Sequence, residues 1–95
     1  MRLPAYKFLV QLKKIQGVEK IWLFGSRARG DAKPRSDIDL AIVLSSTLKN
    51  PDKTWLSVLD VVGHADTLLH IDCINFNEIA STQLRHSITM EGISL

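Results

Sequence analysis

The chain has 95 residues, with 12 Lys+Arg against 10 Asp+Glu for a formal charge of +2, 45% hydrophobic and 6% aromatic residues, and one cysteine. A chain this short buries roughly 60–68% of its unfolded surface and holds one core, so residues 1–95 are expected to form a single domain. The small net charge excludes a nucleic-acid footprint over a whole face, no apolar run approaches the ~20 residues that span a bilayer, and the lone Cys73 excludes an internal disulfide.

Ala5, Phe8, Leu9, Leu12 and Ile15 recur at helical spacing and Gly17 supplies a stop, which predicts a first amphipathic helix. Val18 to Phe24 gathers Ile21, Trp22, Leu23 and Phe24 and breaks at Gly25-Ser26, the pattern of a buried strand. Ile38 to Leu44, apolar except for Asp39, predicts a second strand. Asn50-Pro51-Asp52 reads as a helix start, with Asn as cap, Pro at the first position and an acid in the first turn. Trp55, Val58, Leu59 and Val62 are that helix's expected buried stripe, and Gly63 leaves its end between Val62 and Thr67. Leu69 to Ile74 predicts a third strand. Asn75 with Glu78 has the form of a capping box for a last helix carrying Ile79, Leu84 and Ile88 and ending at Gly92. The fold class is therefore a small α/β (α+β) layer, a mixed sheet of about three strands with helices packed mainly on one face. Met1-Arg2-Leu3-Pro4 runs straight into mixed polar and apolar residues without a leader, so the expected setting is the reducing cytoplasm.

Chemistry concentrates between Gly25 and Leu40. Asp37 and Asp39 are two apart at the mouth of a strand, and a period of 2 puts both carboxylates on one face. Like charges that close cost stability unless cations sit between them, and hard oxygen ligands suit Mg²⁺ or Mn²⁺. Gly25-Ser26 lies where a strand ends, a place where backbone N–H groups and a small hydroxyl can hold phosphate oxygens, and Arg27, Arg29, Lys33 and Arg35 add positive charge nearby. A Walker A loop is excluded, because Asp31 and Ala32 stand where Lys and Ser/Thr are required, and no G-x-G-x-x-G occurs. A Ca²⁺ loop is excluded as well, because Lys33 and Arg35 occupy alternate ligand positions and the distal Glu is missing.

Gly25-Ser26, ten intervening residues and Asp37-Ile38-Asp39 resemble the signature of the polymerase-β-like nucleotidyltransferase superfamily. The Phe-Gly-Ser-Arg-Ala-Arg-Gly opening and the chain length resemble the minimal nucleotidyltransferase (MNT) domains, including MntA-type antitoxins. The resemblance implies the nucleotidyltransferase fold and a third carboxylate on a later strand, for which Asp72 is suitably placed. By the same resemblance Asp37, Asp39 and Asp72 are the catalytic and metal-binding residues for two Mg²⁺ ions, with Mn²⁺ as an alternative. Gly25 and Ser26 would cradle the β/γ-phosphates of ATP or another nucleoside triphosphate, with Arg27 and Arg29 as further nucleotide ligands. The implied activity is transfer of a nucleotide, AMP above all, to an acceptor hydroxyl, a tyrosine of a HEPN-domain toxin partner. The alternative is a non-catalytic antitoxin that neutralises its HEPN partner by occlusion. A homo-oligomer stays open; a membrane or nucleic-acid partner is not expected.

The bland readings differ by residue. Asp37 and Asp39 alone could be a solvated strand entrance, Ser26 a plain helix cap, Asp72 a satisfied core carboxylate, and each Arg or Lys part of a solvated face. His64, His70 and His86 lack zinc-ligand spacing and read as surface or packing residues, and Cys73 reads as inert. The sheet face opposite the helices is expected to be open and half apolar, with Asp37, Asp39, Ala41 and Val43 beside His70, Asp72 and Ile74, the kind of patch that meets a partner.

Overall fold

The computed structural model describes residues 7–95, so Ala5 lies outside the described residues. In chain order come α1 (Lys7–Lys14), β1 (Val18–Phe24), α2 (Ser26–Arg29), β2 (Ile38–Leu44), α3 (Pro51–Gly63), β3 (Ile71–Asn75), a 3₁₀ turn (Phe76–Glu78), α4 (Thr82–Glu91) and β4 (Ile93–Ser94). The strands form one mixed sheet in the order β3-β2-β1-β4. β1 runs antiparallel to β2 and to β4, whereas β2 and β3 are parallel and joined through α3.

Alternation along β2 separates the two faces. Ile38, Leu40, Ile42 and Leu44 point into a core with Ile21 and Leu23 of β1, Phe8, Leu9 and Leu12 of α1 and Val58 of α3. Full burial of each such side chain stabilises the fold by about 1.5–3 kcal/mol, which makes this face the main source of stability. α3 starts as its sequence predicts: Asn50 Oδ1 accepts from Lys53 N at 3.2 Å and Pro51 opens the helix. Its stripe differs at one place. Leu59 is 41% exposed, while Val61 packs on the core alongside Trp55 and Val62.

The other differences lie towards the C-terminal end. Asn75 caps the 3₁₀ turn, its Oδ1 accepting from Asn77 N at 3.0 Å, and α4 begins only after Ser81, whose Oγ accepts from Leu84 N at 3.1 Å. Ile79 therefore precedes the helix and Leu84 is 39% exposed, which leaves Ile88 as the helix's buried residue. Strand β4 is a fourth strand where about three were expected, because two residues carry no readable periodicity. The second face is also less open than its sequence suggests. Ile88 is buried outside the main core cluster, Ala41 is fully buried, and Gly92 brings the end of α4 against the Trp22 ring and the Leu23 carbonyl. At the end of that face Asp72 is exposed and Asp39 half-buried.

Candidate active site

The turn after β1 is built around Gly25, whose φ of 75° and ψ of −154° fall in a region open essentially to glycine. A Cβ at this position would collide with Asp39 Oδ2, so the missing side chain is the space that the carboxylate occupies. The Gly25 carbonyl accepts from Ala28 N and Arg29 N, both at 3.1 Å, which starts the single turn α2. The N–H groups of Ser26 and Arg27 at its start have no intrahelical acceptor and are available to an oxygen-rich ligand.

Pairing brings the carboxylates to this turn. Asp39 lies opposite Phe24 on β1 and opposite Asp72 on β3, and Asp37 lies one residue before β2, near enough for its charge to act on Asp39. Asp37 and Asp72 are exposed, whereas Asp39 is partly buried. Burial raises the Asp39 pKa above the usual carboxylate range, and the neighbouring charges of Asp72 and Asp37 push it further the same way. Arg29 and His70 oppose the shift without cancelling it.

Among the described residues the ion pairs are Arg29 with Asp31 and His64 with Asp60, both exposed, so no salt bridge neutralises the three site carboxylates. Nor, among those residues, is any group of three or more His, Cys, Asp or Glu closed around a metal-sized point. The charges of Asp37 and Asp72 both repel that of Asp39, and the oxygen donors of the three, whose charge Arg29 and His70 offset only in part, suit a divalent cation.

The basic residues divide. Arg29 is half-exposed, 3.5 Å from Asp31 Oδ2, and its charge reaches Asp39. Arg27 instead turns to the following loop, donating to the carbonyls of Ser36 at 2.6 Å, Asp37 at 3.2 Å and Pro34 at 3.4 Å. Lys33 and Arg35 are exposed on that loop. His70 bears on Asp39 as well, although read by itself it is a surface residue; its place two residues before Asp72, on the same strand face, is the signal that relates it to the site. Burial and the charge of Asp72 push the Cys73 thiol up to about 12, which disfavours the reactive thiolate.

A small-residue turn against an Asp-x-Asp strand, with a parallel third strand bringing another carboxylate into register, is the arrangement of a nucleotidyltransferase. The chain belongs to the Polymerase beta nucleotidyltransferase family, whose pattern matches residues 8–95. Among solved structures it is similar to a tyrosine-to-alanine mutant of the toxin–antitoxin MntA-HpeT, at 28% identity and a TM-score of 0.61 over 92% of this chain and 68% of that one. It is also similar to a toxin–antitoxin crystallised with AMP-PNP, at 24% identity and a TM-score of 0.59 with the same coverage. A minimal nucleotidyltransferase matches at 23% identity and a TM-score of 0.60, over 93% of this chain and 85% of that one. No curated protein matches the chain. Among the described residues, no helix is long and apolar enough to cross a membrane.

Proposed function

We propose that this chain is a metal-dependent nucleotidyltransferase that moves AMP from ATP to a hydroxyl of a partner protein, a tyrosine of a HEPN-domain toxin, and so acts as the antitoxin of a pair. The observation that carries the reading is the register of Asp39 with Asp72 beside the Gly25 turn, at the spacing that the family signature requires. The likeness to MntA-HpeT and to a toxin–antitoxin holding AMP-PNP supports a toxin partner and a nucleotide ligand.

Asp37, Asp39 and Asp72 would hold two Mg²⁺ ions. Bound there, the ions supply charge neutralisation at the attacking and leaving oxygens of an in-line displacement. The remaining work falls to the chain. Gly25 and Ser26 orient the β/γ-phosphates through main-chain N–H groups and the Ser26 hydroxyl, and Arg29 offsets charge on the same side. The acceptor oxygen forms a bond to the α-phosphorus, the bond from that phosphorus to its bridging oxygen breaks, pyrophosphate departs, and the hydroxyl proton passes to solvent.

Incubation with a HEPN-domain partner, Mg²⁺ and each α-labelled nucleoside triphosphate, read by intact mass, is expected to show a nucleotide-sized increase on the partner with ATP. Its absence with all four nucleotides defeats the enzymatic reading. The double variant Asp37→Ala, Asp39→Ala should bind the partner but neither label nor neutralise it. Neutralisation that persists in that variant assigns antitoxin action to occlusion instead.

A further inference from the structure

We propose that Arg27 is a positioning residue: its guanidinium ties the loop from Gly30 to Asp37 to the Gly25-Ser26 turn, so that Asp37 is presented beside Asp39. The inference rests on the metal-dependent reading above and gives Arg27 a role other than contact with the nucleotide.

The loop between α2 and β2 has no regular structure of its own, and its internal ties are the Ser36 N–H to the Lys33 carbonyl at 3.0 Å and the Lys33 N–H to Ser36 Oγ at 2.8 Å. Asp37 is exposed and, among the described residues, forms no ion pair, so its direction follows from its backbone, which enters β2 at Ile38. The Ile38 N–H holds one end of that backbone, donating to the His70 carbonyl at 2.9 Å, and Arg27 holds the loop side of it. Nη2 donates to the Ser36 and Pro34 carbonyls and Nε to the carbonyl of Asp37 itself. The residue stands on α2, whose turn hangs from the Gly25 carbonyl, so one side chain joins the phosphate-side turn to the first carboxylate. The groove that Arg27 helps to line is formed with Ala32, Lys33, Pro34 and the segment Asp66 to Leu69, and none of the three site carboxylates borders it. A planar guanidinium presents its donors in a rigid fork that matches carbonyls spread along a loop, whereas the compact ammonium of Lys on its flexible stem does not hold that geometry.

Arg27→Lys and Arg27→Gln test this, alone and combined with Asp37→Asn. Binding of Mn²⁺ without nucleotide, followed by electron paramagnetic resonance, is expected to weaken by ~10-fold or more in Arg27→Lys, the scale of lost outer-shell support. On the Asp37→Asn background the same change should cost less than ~2-fold, because Arg27 acts through Asp37. Hydrogen exchange of the Ser36 amide should quicken while that of Leu40 does not.

Unchanged Mn²⁺ affinity or unchanged Ser36 exchange in Arg27→Lys overturns the positioning role and leaves the metal-dependent reading standing. Weakened binding of ATP in the presence of EDTA, with Mn²⁺ affinity intact, makes Arg27 a phosphate ligand instead. Additive losses with Asp37→Asn also overturn the proposal. If Arg27→Lys has no cooperative melt, Arg27 belongs to the fold at large and the proposal fails. Failure of the wild-type chain to bind Mn²⁺ removes both readings together.

Discussion

Gly25 and Asp39 form one unit, because the volume denied to a side chain at the first position is the volume the second one's carboxylate fills. Gly25→Ala is therefore expected to cost about 1–3 kcal/mol of stability through its backbone conformation. It should also lower activity by roughly 10²-fold through displacement of Asp39; urea unfolding and the labelling assay check the two effects. The raised pKa of Asp39 has its own signature. The folded chain holds that proton more tightly than the unfolded chain does, so Asp39 contributes stability below its ordinary value of 3.8 and loses it as pH rises through the raised value. Without metal, Asp39→Asn should thus be more stable than the parent at neutral pH and inactive, and its advantage should vanish at low pH or when Mg²⁺ is supplied to both. Urea titrations in EDTA at several pH values read this directly. The carboxylates and Gly25-Ser26 were legible because type and spacing alone mark them. The destination of the Arg27 side chain was not, since contacts spanning seven to ten residues depend on a loop path that no periodicity encodes.

Secondary structure was most legible where a cap and a stripe agree. Asn50-Pro51 locates the start of α3, and the alternation of β2 locates its buried side. It failed at Asn75 to Ser81, where two residues of equal capping chemistry stand six apart and only tertiary contacts choose between them. Asn77 closes both polar groups of Leu44, its side-chain carbonyl accepting from the Leu44 N–H and its amide donating to the Leu44 carbonyl, each at 2.9 Å. Arg85 then holds the carbonyls of Asn77 and Ile79 at 2.9 and 2.7 Å, so the segment is pinned as a turn and the helix starts later. Ser81→Ala is expected to destabilise the chain by about 1 kcal/mol with a matching quickening of exchange in the first turn of α4, measured by amide exchange. Asn75→Ala should leave that turn's exchange unchanged.

At the scale of the molecule, the described residues build a thick core on one side of the sheet and pack α4 on the other. Ile88 is the residue that fastens α4, and Ile88→Ala is expected to cost ~2–5 kcal/mol, with exchange protection lost from α4 before β2, as native-state exchange would show. The second face looked open in the sequence because α4 presents a single buried apolar residue, too few for a helical stripe to announce which side it covers. The parallel pairing of β2 with β3 makes chemistry and alignment inseparable. A slip of β3 by one position would turn Asp72 inward and bring Ile71 or Cys73 out in its place, so a misaligned chain would carry its error as a buried charge and be rejected by its own energetics. Correct alignment thus acts as a built-in check that the third acid faces outward whenever the domain is folded at all.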